Sequence, residues 1–371
     1  MKRLIALVIA LAGPVAADPA TQARDALARL EAAMEALEAA EGARDRVAAL
    51  TETVRGFEAG LAAMREGLRA VSIREAQLAR RLEAREAGVA QLLGVLQSIG
   101  TAPAPVLFLH PGGPLGTARA GMLVAEVTPA LEAEAGALRR DLQEVVTLRA
   151  LQEAAAEQLT EGLAGVQAAR AELSAAIADR TDLPRRFIAD PVGTQILIAA
   201  TETLEGFASG LSEIGAAAPD APPLPGIADR KGELPLPVEG TILRRAGEAD
   251  AAGIERPGIV VATRPRALVS TPATATLRYR GPLLDYGQVS ILEPEDGMLI
   301  VLAGLETVFG EAGQVLPEGS PVGLMGGAAA GADAFLSRNG EGGGSDRSET
   351  LYIEIRKDTT PVDPLDWFRA D

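Results

Sequence analysis

The chain has 371 residues, no cysteine, a single histidine (His110) and a formal net charge of −16. That inventory excludes a Cys/His zinc site, cysteine-protease chemistry and a Ser-His-Asp triad, because the ligands and bases they need are missing and carboxylates alone make a poor zinc set. His110 lies in the turn-rich Phe108–Pro114 stretch and reads as a loop histidine, and the acidic balance argues against nucleic-acid binding through bulk charge.

Residues 1–17 have a short basic start, an apolar run from Leu4 to Ala12, a Gly13-Pro14 breaker and the small residues Val15-Ala-Ala17. This is the pattern of a secretory signal peptide cut after Ala17, so an exported chain that folds without disulfides is expected. Residues 18–182 are expected to form a long α-helical coiled-coil hairpin. Its first seam runs Val47, Leu50, Val54, Phe57, Leu61, Met64, Leu68, Val71 and on through Leu78 and Leu82 to Ile99. Leu27, Leu30, Met34 and Leu37 fall one position out of phase, which predicts a stutter, and Gly42, Gly56, Gly60 and Gly67 predict soft points. A proline- and glycine-rich turn region over about 100–125 interrupts the helix. A second seam then follows through Leu131, Ala135, Leu138, Leu142, Val145, Leu159, Leu163, Val166, Leu173 and Ile177. Two seams of about fifty residues, each about 80 Å long, fit an antiparallel hairpin, with parallel homodimers of each helix as the alternative. The glycines of 112–121 lack the Gly-Lys-Ser/Thr of a phosphate loop.

Within residues 183–217 an amphipathic helix is expected over 191–214, with Leu197, Ala200, Leu204, Phe207, Leu211 and Ile214 on one face. It either packs on the base of the hairpin or covers a binding groove until something draws it away. Residues 218–230 form a Pro/Ala/Asp linker. Beyond it, short apolar runs predict strands at 240–243, 258–262, 267–270, 275–279, 288–292, 298–302 and 314–316, and a glycine-rich loop spans 326–346. The last strand, Thr350-Leu-Tyr-Ile-Glu-Ile-Arg356, alternates apolar and polar residues, and the tail after it ends on Trp367 and Phe368, a lid for a small β core.

This strand and tail, together with Lys231–Val238, Gly258-Ile-Val-Val261, Asp285–Val289 and Val315–Gly323, resemble a LytM-type (lysostaphin-like) peptidase domain over residues 231–371. Active members of that family carry His-x-x-x-Asp where this chain has Arg256 and Val260, and His-x-His where it has Thr350 and Tyr352. The expected ligands and the catalytic histidine are all replaced, which implies no metal, no cofactor and no hydrolysis. With the signal peptide and coiled coil, the whole resembles the EnvC-type murein hydrolase activators, an α+β multidomain architecture with a long helical hairpin and a small all-β domain. The resemblance implies a periplasmic protein recruited to the division septum. It would hold an N-acetylmuramoyl-L-alanine amidase in its former active-site groove, displace that enzyme's blocking helix, and dock through the coiled coil on an FtsEX-like inner-membrane complex. The groove is expected to comprise Arg256, Val260, Tyr286, Val289, Leu302 and Tyr352, with Glu354 and Arg356 setting the register of an incoming helix. Alternate residues of such strands are also core, and for Val289 and Leu302 the two readings stay open. The alternative function is a structural envelope scaffold that binds peptidoglycan or a partner without activating a hydrolase. An endopeptidase with an unusual metal site is a third and weaker reading.

Overall fold

The structure, a computed structural model, describes residues 19–100, 113–180, 183–211, 214, 216–217, 224–250, 253–328 and 349–369. The expected signal peptide, His110 and nearly all of the glycine-rich loop lie outside them. The chain divides into two compact units, residues 1–63 with 160–371, and residues 64–159. Among the described residues no helix is long and apolar enough to cross a membrane.

The helices are α1 (Pro19–Glu38), α2 (Ala43–Gly100), α3 (Gly113–Ala178), α4 (Pro191–Ala200) and α5 (Leu204–Leu211). Helix α3 starts at Gly113, inside the expected turn region. Pro114 stands in its first turn, where a proline's missing N–H costs no intrahelical bond. In the 64–159 unit, α2 and α3 run antiparallel: Gln152 donates to Ser72 and Glu75 at 3.3 and 3.0 Å, Arg149 to Glu75 at 2.8 Å, and Arg74 to Glu144 at 2.7 Å. The inward stripe of α3 there passes through Leu138, Asp141, Val145, Leu148 and Gln152. Leu142, expected in the seam, is 50% exposed because the stripe takes Asp141 in that turn.

In the other unit, α1 is a separate helix, not a stuttered extension of α2, and the chain turns between Ala39 and Gly42. It buries Ala26 and Ala33 and leaves Leu27 and Met34 outside. Gly56 and Gly60 are the reason. A Cβ on Gly56 would lie 3.3 Å from Leu30, and one on Gly60 would lie 3.8 Å from Ala26, so these glycines mark close helix approach and not soft points. On the other side of α2, Gly165 and Gly162 of α3 make the same room for Phe57 and Leu61.

The β domain is built on a 10-stranded antiparallel sheet. Its strands are β3 (Gly240–Arg244), β4 (Ile259–Thr263), β5 (Leu268–Ser270), β6 (Ala275–Pro282), β7 (Gln288–Glu295), β8 (Met298–Val308), β9 (Val315–Leu316), β10 (Pro321–Met325), β11 (Glu349–Lys357) and β12 (Thr360–Val362). The main order is β3-β4-β11-β8-β7-β6-β9, with β10 joining β5 to β8 and β12 pairing with β11. All eight expected strands form. β10 and β12 were not expected, since each contains a proline, which argues against a strand. One face of the sheet packs Ile259, Val261, Leu302, Ile353 and Ile355 against Ile227, Leu234, Trp367 and Phe368. The foot of α2 braces this domain: Arg55 donates to Ser270 Oγ at 2.7 Å, and Glu58 accepts from Arg170 at 2.6 Å and from the Leu268 N–H at 3.3 Å.

The expected 191–214 helix is two helices. Asp190 caps α4 by accepting from the Gly193 N–H at 2.9 Å, and Pro191 occupies the first turn. The chain breaks at Thr201, whose backbone is extended and whose hydroxyl donates back to the Leu197 carbonyl. Thr203 then opens α5 by accepting from the Gly206 N–H at 3.1 Å. Two threonines competing for backbone groups supply a stop and a start where apolar periodicity alone runs on. Short strands β1 (Phe187–Ile188) and β2 (Ala216–Ala217) pair on either side of the two helices.

Candidate functional site

The second face of the sheet has a different chemistry. On β11 the side chains of Tyr352, Glu354 and Arg356 share this face, while Leu351, Ile353 and Ile355 fill the opposite core. Tyr352 stands across from Val260 on β4 and from Ala303 on β8. Its hydroxyl accepts from the Gly258 N–H at 3.1 Å and donates to Glu354 Oε2 at 2.7 Å. Arg356 donates to Glu354 Oε1 at 2.6 Å and to the Thr359 carbonyl. The ion pair is closed to solvent, with side-chain exposures of 2% and 3%. Burial, reinforced by the neighbouring Glu354 carboxylate, drives the Tyr352 phenol far up, so it stays a neutral hydrogen-bond donor. Gly258 has no room for a side chain, since a Cβ there would lie 2.6 Å from the Tyr352 ring.

Tyr286, in the short turn after β6, extends this line. Its ring centroid is 5.7 Å from that of Tyr352, and the Arg256 guanidinium lies 5.3 Å from the Tyr286 ring. Burial raises the Tyr286 phenol and Arg256 offsets part of that. Arg256, Tyr286, Tyr352, Glu354 and Arg356 therefore form one continuous chain of contacts, with Val260 packed beside it.

The donor set does not fit a zinc ion. Val260 has no ligand atom, Arg256 is a cation, and the Tyr352 oxygen is engaged by Gly258 and Glu354. The one carboxylate of the row, Glu354, is bound by both Tyr352 and Arg356.

Of the expected groove residues, Val289 lies on this face and is fully buried. Leu302 does not belong here: it packs in the opposite core with Ile259 and Ile353. Register decides the difference, because β8 pairs Ala303 with Val289 and with Tyr352, which sends Leu302 to the other side.

The face is occupied by the chain itself. Leu204, Phe207, Ala208 and Leu211 of α5, at i, i+3, i+4 and i+7, are buried in one cluster with Tyr279, Val289, Ile291, Val301, Ala303 and Tyr352. Phe207 meets Tyr279 edge-on, with ring centroids 4.8 Å apart at 73°. Leu197 and Ile198 of α4 pack against the same cluster. Arg278, beside Tyr279 on β6, donates to the Leu211 and Ile214 carbonyls at 2.7 and 3.0 Å. Sequence reading did not single out Tyr279 or Arg278. The only signal was an arginine in the otherwise apolar run Ala275-Thr-Leu-Arg-Tyr279, and a shift in the β6–β7 pairing at that point seats it.

No protein-family profile matches the chain. Over 144 residues it is 26% identical to NMB1333, an uncharacterized protein of Neisseria meningitidis serogroup B. That match takes in 39% of this chain and 21% of the relative, so the chain spans about a fifth of the relative's length. Similar solved structures include a putative M23 peptidase from Pseudomonas aeruginosa, at TM-score 0.31 and 14% identity over 48% of this chain and 65% of that one. A chain of the SpoIIQ–SpoIIIAH pore-forming complex is similar at TM-score 0.29 and 20% identity, over 38% of this chain and 92% of that one.

Proposed function

We propose that this chain is a non-enzymatic activator of septal peptidoglycan amidases, acting in the periplasm and binding its amidase through the Tyr352 face of a degenerate LytM-like domain. The observation that carries the reading is that this face already holds an amphipathic helix. A face that accepts α5 through four apolar anchors is built to accept a comparable helix from a partner once α5 leaves. Arg256 and the two tyrosines border it with side chains that commonly anchor protein interfaces.

Two features support the degenerate-peptidase reading. Val260 and Tyr352, the positions at which the resemblance puts lost ligands, are far apart in sequence yet paired across adjacent strands. The side chains present there bind one another and offer no metal set. We infer as well that α2 and α3 form the coiled-coil hairpin and that it docks an FtsEX-like complex at the septum. The antiparallel cross-helix pairs support the hairpin. In this mechanism α4 and α5 keep the groove shut until docking draws them off.

The test is release of dye from labelled peptidoglycan by a periplasmic amidase mixed with the full chain or with the chain lacking residues 191–214. The expected outcome is no release by either chain alone, weak stimulation by the full chain and strong stimulation by the deletion. Silence of both mixtures favours the static envelope scaffold, and release by the chain alone overturns the loss of hydrolytic chemistry.

A further inference from the structure

The segment that covers the Tyr352 face leaves and returns at one point. Phe187 pairs with Ala217 and Ile188 with Ala216, so the two ends of the 187–217 excursion are tied to each other. The entering strand is fixed to the β domain: the Arg186 N–H donates to the Gly313 carbonyl at 2.9 Å, and the Val315 N–H to the Pro184 carbonyl at 2.8 Å. The root is firm, but the first helix is not. Helix α4 buries no residue completely, and a cavity of ≈ 510 Å³ opens between Ile198, Leu211, Arg278 and Tyr279. What holds the excursion down is α5, and α5 ends on Arg278.

Arg278 gives two hydrogen bonds to carbonyls at and just beyond the end of α5, those of Leu211 and Ile214, the first of which also accepts from the Ile214 N–H at 3.3 Å, and it sets a positive charge at the helix C-terminus. Its guanidinium also lies 4.3 Å from the Phe187 ring, so one side chain touches both the end of the cover and its root. The other side of the guanidinium faces Glu293 on β7 at 3.5 Å, too long for a good hydrogen bond, and Nε is buried without an acceptor. Both side chains are nearly closed to solvent, at 11% and 10% exposure. Burial pushes the Glu293 carboxyl up, and Arg278 and Arg186 offset only part of it.

We propose that Arg278 is the clasp of the cover, a positioning residue that holds α5 over the groove by its C-terminal carbonyls and turns to Glu293 when the helix lifts. The proposal rests on reading the covered face as the partner-binding face. Lifting α5 takes both carbonyl acceptors away from the Arg278 guanidinium, a cost unless another acceptor is at hand. Glu293 removes that obstacle, because a small side-chain rotation closes the 3.5 Å gap. The charge is then paired in both positions of the helix, and two discrete arrangements of one contact are what a two-state cover requires. The residues consequently act in opposite senses: Arg278 favours the closed cover and Glu293 the open one.

The chain has no cysteine of its own, so a single engineered thiol reports the cover directly. Ala208→Cys in the full chain places it on the buried face of α5, and its alkylation rate measures opening. Adding Arg278→Met removes two charge-assisted hydrogen bonds and should speed alkylation about tenfold or more. Adding Glu293→Gln weakens the open-state partner and should slow alkylation about threefold. Arg278→Lys keeps the charge but loses the forked reach to two carbonyls, and should fall between wild type and Arg278→Met. Amide exchange of residues 204–211 without the cysteine should give the same order. If the Arg278 and Glu293 variants move the rate in the same direction, or if either leaves it unchanged, the clasp is wrong and the pair is merely structural. No amidase enters this experiment, so its outcome is separate from that of the proposed function.

Discussion

The two faces of the one sheet are closed in different ways. The face with Ile259, Leu302 and Ile353 is sealed by the domain's own entry and exit: Leu234 and Trp367–Phe368 lie on it, and the two segments are hydrogen-bonded together through Leu234 N–H to Trp367 O at 3.1 Å and Arg369 N–H to Leu234 O at 2.9 Å. The other face carries two tyrosines and a buried ion pair, and it is covered by an excursion whose ends bond to each other. Uncovering the first face takes the domain apart. Uncovering the second requires only that α4 and α5 leave together. One sheet thus carries two cores back to back, one closed by the domain's own ends and one by an excursion tied to itself, and the topology of the covering segment separates them more clearly than its apolarity does.

The sharpest way to break the comparison is to strand a charge on the polar face. Arg356→Leu leaves Glu354 buried without its cation and should cost about 3–5 kcal/mol in a urea titration, while Glu354→Leu with Arg356→Leu should regain most of that. A single variant as stable as wild type would mean that the pair is solvated. A matched pair of truncations sharpens the contrast. Trp367→Ala and Phe207→Ala each remove a buried aromatic, a loss of about 3–5 kcal/mol in a fixed core. For Trp367 the loss should appear in the global unfolding midpoint. For Phe207 it should appear as faster amide exchange confined to residues 204–211, with the sheet amides unchanged. Equal effects on the sheet in both variants would remove the distinction between the faces.

A smaller effect is expected at Gly258. Gly258→Ala puts a methyl against the Ile353 carbonyl oxygen and 2.6 Å from the Tyr352 ring, so strand and ring must both shift, for a loss of about 1–3 kcal/mol and a changed tyrosine signal in near-ultraviolet circular dichroism. The smallest concerns Glu58 at the foot of α2. Burial raises its carboxyl above the ordinary value and Arg170 only partly offsets this. The folded chain therefore holds that proton more tightly than the unfolded one, and the stability contributed by this group falls as pH rises from the ordinary carboxylate value through the raised one. Glu58→Gln removes that dependence, so the stability difference between variant and wild type should move in the variant's favour from acidic to neutral pH. A difference that stays constant would show that Glu58 is solvated.

Much of this arrangement could be read before the structure. The short apolar runs bounded by glycine and proline locate eight strands, and alternation along β11 brings Tyr352, Glu354 and Arg356 onto one face. Alternation gives the set but not the side, and for Leu302, which the sequence leaves open between groove and core, a one-residue register decides for the core. The helical pattern was read by its large residues, whereas α1 packs through Ala26 and Ala33 against glycines, a contact that hydrophobic periodicity underweights. Arg278 was out of reach for another reason. Its partners are backbone carbonyls more than sixty residues away in sequence, and no side-chain motif encodes them.

The central claim, that the Tyr352 face receives a partner only when α5 has left it, is tested most directly by calorimetric titration of a purified periplasmic peptidoglycan amidase. Three chains are compared: wild type, the 191–214 deletion, and the deletion with Tyr286→Ala. The account predicts weak binding to the first, tight binding to the second, and affinity lost again in the third. Equal affinity for all three would place the amidase elsewhere on the molecule and contradict the claim.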